Sequence, residues 1–150
     1  MTGIRRLQGL LFALLLLLLI PAVQAREMVS VARDEINMRS GPGTGHAITW
    51  QLSRGYPLQV VGRKGQWLRV RDFENDEGWV FRSLTNKTPH YVVRSKIVNI
   101  RSAPGTHGRI VGKAGYGEVL RTLARRGDWV RIRQESGATG WVARRLLWGW

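Results

Sequence analysis

Apolar and polar residues alternate in short runs along most of this chain. Ile36 and Met38 alternate with Asn37 and Arg39, Leu58 and Val60 recur further on as Leu120 and Thr122, and Leu68 and Val70 recur as Val130 and Ile132. Runs of period two, spaced roughly 8–12 residues apart and bounded by Gly or Pro, predict the strands of small all-β units. The N-terminus follows a different rule. An unbroken apolar run from Leu10 to Ile20 is preceded by Arg5 and Arg6 and followed by Pro21 and the small residues Val23 and Ala25. This order predicts a secretory signal peptide cut between Ala25 and Arg26. The run is shorter than the roughly 20 residues of a membrane-spanning helix, although the same segment left uncut would serve as an anchor.

Shifting the chain on itself by about 62 residues exposes an internal duplication. "NMRSGPGT" at Asn37–Thr44 falls on "NIRSAPGT" at Asn99–Thr106, "RKGQWLRVR" at Arg63–Arg71 on "RRGDWVRIR" at Arg125–Arg133, and "EGWVFRSL" at Glu77–Leu84 on "TGWVARRL" at Thr139–Leu146. The glycines around Pro42 resemble a phosphate-binding loop, but no Lys-Ser or Lys-Thr follows and no helix is predicted behind them. The second copy settles the matter: Gly41 becomes Ala103 and Gly45 becomes His107, while Pro42-Gly43 persists as Pro104-Gly105. What the copies share is a tight turn. Pro at the second position and Gly at the third predict a type II turn, with positive φ at Gly43 and Gly105.

A copy of about 60 residues buries just enough surface to fold alone as a compact barrel. The expected organisation is therefore a signal peptide over 1–25, a first barrel over 26–84, a linker over 85–90 and a second barrel over 91–150. The stretch "LTNKTPH" at Leu84–His90, which holds this linker, is polar and contains Pro89. Being short, it should hold the barrels close together.

These motifs resemble the bacterial SH3 domain family, in which an N-x-R-x-G-P-G-like turn precedes a G-x-W-x-x-V strand and a closing G-W-V strand. The resemblance covers the chain from about Met28 to Trp148, and the tandem form is similar to a secreted two-copy subgroup. It implies two small SH3-like β-barrels, an envelope location and binding of peptidoglycan or a peptide, with catalysis elsewhere. Ala103 departs from the pattern and is expected to alter the second turn.

Charge sharpens this expectation. With 24 Lys and Arg against 10 Asp and Glu, the chain carries a formal net charge of +14. Outside the cytoplasm such charge suits cell-wall polymers, lipid headgroups and other anions of the envelope. Leu68 and Val70 are predicted to face the core, which sends Trp67, Arg69 and Arg71 to the opposite face, and Trp129, Arg131 and Arg133 repeat the arrangement. An indole beside two guanidiniums can stack on a sugar or peptide while the cations neutralise carboxylates or phosphates. The alternative is that each Trp covers one end of its barrel above a solvated arginine stripe. Trp79 and Trp141 follow Gly78 and Gly140, where glycine permits close backbone approach or a bulge, and are candidates to line a groove beside the Pro-Gly turn. Tyr56 and Tyr116 lie near corresponding turns but out of register. Arg39 and Arg101 precede the turn in both copies and are expected to bond loop carbonyls. The tail "RRLLWGW" is expected to pack across the barrel junction, a membrane contact being its alternative.

Catalytic and metal-binding chemistry finds little support. Cysteine is absent, and His46, His90 and His107 lack ligand spacing. No acidic residue recurs in the same place in both copies, and Asp72, Glu74, Asp76 and Glu77 are expected to form the solvated turn of a hairpin. No cofactor or metal is therefore expected, nor an enzyme. The sequence predicts a secreted binding module, with a periplasmic location favoured, whose partner is a cell-wall polymer or other anionic envelope ligand. A structural or regulatory role on an envelope protein is the alternative. Nucleic acid is not an expected partner, because export removes the chain from it.

Overall fold

A computed structural model of the chain describes residues 25–150; the expected signal peptide lies outside the described residues apart from Ala25. Fourteen strands follow in order: β1 Met28–Val31, β2 Glu35–Arg39, β3 Ile48–Ser53, β4 Pro57–Lys64, β5 Trp67–Arg71, β6 Glu77–Phe81, β7 Thr85–Asn86, β8 His90–Val93, β9 Ile97–Arg101, β10 Ile110–Gly115, β11 Val119–Arg126, β12 Trp129–Arg133, β13 Thr139–Ala143 and β14 Leu147–Gly149. Single 3-10 turns at Arg82–Leu84 and Arg144–Leu146 follow the closing strands β6 and β13. Each copy forms its own seven-stranded sheet, ordered β3-β2-β6-β5-β4-β1-β7 and β10-β9-β13-β12-β11-β8-β14. The fold is all-β, as the period-two pattern predicts.

The alternation decides what is buried. Leu68 and Val70 join Ile36, Met38, Leu58 and Val80 in one core, while Val130 and Ile132 join Val98, Ile100, Leu120 and Val142 in a second. Neither core includes residues of the other copy. In β4 and β11 the register slips between Val60 and Gly62 and between Thr122 and Ala124. An extra residue at each bulge bends the long strand, so that its two ends pair with different neighbours and the sheet curls around its core. Gly78 and Gly140 work at the closing seam. A Cβ on Gly78 would lie 2.6 Å from Met38 Cγ and 3.0 Å from the Arg39 carbonyl, and one on Gly140 would lie 2.9 Å from the Arg101 carbonyl. Close approach, rather than a bulge, is the reason for these glycines.

The loop after β2 differs from the expected type II turn. Gly43 and Gly105 do not have positive φ. The turn is closed one step later, where His46 N–H donates to the Gly43 carbonyl and Gly108 N–H donates to the Gly105 carbonyl. Ala103 does not disturb it because a second change offsets the first. In the first copy the His46 ring lies over Gly41, where a Cβ would come within 2.6 Å of His46 Cγ; in the second, Gly108 stands in the place of His46 and leaves room for Ala103.

β7 pairs with β1 and β8 pairs with β11, leaving Lys87–Pro89 between the sheets. Side chains then join the barrels directly. Tyr116 Oη donates to Glu74 Oε1 at 2.9 Å, and its ring lies 5.3 Å from that of Phe73. His90 Nδ1 lies 3.2 Å from the buried Ser30 Oγ and 2.9 Å from the Thr88 carbonyl. The tail is mainly part of the second sheet: β14 pairs with β8, and Leu147 is buried in the second core. Towards the first copy, Trp148 lies under the Arg26 guanidinium at 6.0 Å.

Asp72 corrects another expectation, because it is buried and not solvated. Its Oδ1 accepts from Glu74 N–H and Asp76 N–H, both at 2.9 Å, and so ties down the hairpin turn. Burial pushes the Asp72 carboxyl above the usual carboxylate range against the pull of those two bonds. The phenol of Tyr56, half-buried near this carboxylate, is pushed up by burial and by the negative charge around it.

Candidate functional site

Strand pairing places the candidate residues on one outer face of each barrel. In the first copy Trp67 lies opposite Phe81, Arg69 opposite Trp79 and Arg71 opposite Glu77. Directly opposed residues of an antiparallel pair share a face, so six side chains form one surface: three aromatics, two arginines and an acid. That surface satisfies itself. Glu77 accepts from Arg69 Nη2 at 2.5 Å and from Arg71 Nη2 at 2.6 Å, and the two guanidiniums hold its carboxyl below the usual range. Phe81 packs edge-on against Trp67 with ring centroids 5.3 Å apart.

In the second copy the same register puts Trp129 opposite Ala143, Arg131 opposite Trp141 and Arg133 opposite Thr139. The acid has become Thr139 and the covering ring has become Ala143. The neighbouring β11 adds Arg121 opposite Arg133 and Arg126 opposite Trp129, and the Arg126 guanidinium lies 5.8 Å from the centre of the Trp141 ring. Among the described residues none of Arg121, Arg126, Arg131 and Arg133 has an acidic partner within ion-pair distance. Four cations and two indoles thus share one solvated face without a neutralising charge.

This face runs at its Trp129 end into a groove of about 630 Å³, whose walls include Ile97, Asn99, Thr106, Trp129, Ala143 and Arg145. Asp128 and Arg144 also line it, and pair at 3.5 Å. Trp129 and not Trp141 borders the groove, so the expectation for the closing-strand tryptophans changes: Trp79 and Trp141 lie on the outer sheet face. Ile97 was not among the residues expected from sequence, and Arg144 and Arg145 were expected only as part of the tail. Their signal was the replacement of Phe81 by Ala143, which removes the ring packed against the neighbouring indole.

Arg39 and Arg101 act as expected on the loops. Arg39 Nη1 donates to the carbonyls of Thr44 and His46, and Arg101 Nη1 to those of Thr106 and Gly108, all at 2.9–3.0 Å. Each guanidinium satisfies two otherwise unpaired loop carbonyls and fixes one wall of the region beside the sheet face. Tyr56 and Tyr116 take no part in either face: Tyr56 packs against the first core, and Tyr116 belongs to the barrel junction.

Two all-β barrels, each with a tied loop, a Gly-Trp closing strand and a 3-10 turn, define a tandem SH3-like protein. The chain belongs to the bacterial SH3 domain family, whose models match residues 32–87 and again residues 97–147. A Bacillus subtilis protein named for N-acetylmuramoyl-L-alanine amidase activity, YrvJ, is 29% identical over 124 residues, which cover 75% of this chain and 24% of that protein. Among solved structures, NlpC1 from Trichomonas vaginalis is similar at a TM-score of 0.36 and 16% identity, over 84% of this chain and 46% of the other. An NlpC/P60 family protein from Bacillus cereus is similar at a TM-score of 0.37 and 13% identity, over 83% and 56%. The chain therefore spans about a quarter of the curated relative and about half of these solved chains.

Proposed function

We propose that this chain is a non-catalytic binding module of the bacterial envelope that holds peptidoglycan on a basic, aromatic outer face. One observation carries the proposal: Trp129, Arg131, Arg133 and Trp141 sit together on a solvated face with no acid among them. Peptidoglycan offers sugar rings and peptide carboxylates, which suit indoles and guanidiniums respectively. The matched portion of a relative named for an activity on muramoyl-alanine bonds supports the same ligand. The non-catalytic part rests on the sequence, in which the two copies share arginines and tryptophans at matching positions but no acid and no histidine. The N-terminal apolar segment and the charge support export and residence in the periplasm. No helix among the described residues is long and apolar enough to cross a membrane.

The test is charge reversal on the exposed face. R131E/R133E should lower co-sedimentation with purified peptidoglycan about tenfold or more at low salt, because attraction between exposed charges becomes repulsion over one Debye length. Unchanged sedimentation of this variant would refute the assignment of the face.

A further inference from the structure

The two copies differ at the positions that decide whether the outer face is open. Glu77 neutralises Arg69 and Arg71, and Thr139 in the corresponding place cannot neutralise Arg131 and Arg133. Phe81 packs edge-on against Trp67, whereas Ala143, with no ring to offer, lines a groove together with Trp129. On the adjacent strand the positions of Arg121 and Arg126 are Gln59 and Lys64 in the first copy, which removes one more cation there. All these differences act in the same direction, closing the first face and opening the second.

From this we infer that ligand engages the second barrel alone, and that Thr139 and Ala143 are the positions that make it competent. The inference rests on the reading above that the ligand is anionic. Its chemical class is a flexible chain bearing repeated carboxylates, long enough to lie along Arg121, Arg133, Arg131 and Arg126 and then turn past Trp129 into the groove. Arg145 at the groove is a further cation for its end. A carboxylate approaching the first face must displace Glu77 from two charge-assisted bonds, whereas on the second it meets exposed arginines that, among the described residues, have no acidic partner. The first barrel then serves as the body against which the second is held, through Tyr116, Glu74 and His90.

Exchange of the two pairs of residues tests this. The probe is soluble poly-L-glutamate, followed through the indole N–H signals of Trp67, Trp79, Trp129 and Trp141 by NMR, with peptidoglycan pelleting measured alongside. In the wild type, shifts should appear at Trp129 and Trp141 and not at Trp67 and Trp79. T139E/A143F, which builds the first copy's closed face onto the second, should weaken binding of poly-L-glutamate at least tenfold. E77T/F81A should leave the second-barrel shifts in place and add shifts at Trp67 and Trp79. Equal shifts in both wild-type barrels, no shifts in either, or undiminished binding by T139E/A143F would overturn the inference. Shifts confined to the second barrel without pelleting on peptidoglycan would uphold it while refuting the peptidoglycan reading.

Discussion

At the scale of single residues, the two copies show how one fold absorbs opposite choices. Gly41 with His46 and Ala103 with Gly108 are two solutions to one packing problem, a ring over a bare Cα or a methyl beside a missing ring. Overpacking such a contact costs about 1–3 kcal/mol. G41A should therefore lower the thermal unfolding temperature, and adding H46G to it should restore most of the loss, since contacting residues couple in double-mutant cycles. A G41A protein as stable as the wild type, or no gain from the second change, would contradict this account. The departure at Ala103 was visible in the sequence, but its compensation was not: His46 and Gly108 lie outside the repeated motif and meet their partners only once the loop has closed. Asp72 was misread for a related reason. An acid in a polar hairpin looks solvated in sequence, and only the turn geometry shows its carboxylate collecting two backbone N–H groups.

At the scale of elements, strand chemistry was legible because a half-buried strand writes its faces as alternation. Leu68 and Val70 went inward and Trp67, Arg69 and Arg71 outward, as did their counterparts Val130, Ile132, Trp129, Arg131 and Arg133. The register between neighbouring strands was not legible, and it is what places Glu77 between two arginines and Phe81 on Trp67. β8 carries a prediction of its own. His90 at its first position is half-buried, and burial, helped by the nearby Arg121, pushes its imidazole below the usual range, while its bond to Thr88 opposes them. A lowered pKa in the fold means that the unfolded chain takes up the proton first as pH drops, so the contribution of neutral His90 is intact above about pH 6.5 and is lost below it. The urea midpoint should fall between about pH 7.5 and about pH 5.5, and H90N should reduce that fall. Equal falls in both proteins would show that His90 is not the group responsible.

At the scale of the whole molecule, duplication supplied two bodies with separate cores, and divergence made their surfaces unequal. The basic excess reads as one number in the sequence, but the fold distributes it: Glu27 binds Arg63 and Lys87, Glu77 binds two arginines, and the second barrel keeps an unneutralised face. Binding through such a face is electrostatic in reach and aromatic in contact, and should weaken as salt shortens the Debye length from about 10 Å at 0.1 M to about 3 Å at 1 M. The most direct measurement is pelleting of residues 26–150, without substitutions, with purified peptidoglycan across that range of salt. The account predicts most of the protein in the pellet at low salt and progressive release as salt rises. Protein that stays in the supernatant at low salt would contradict it.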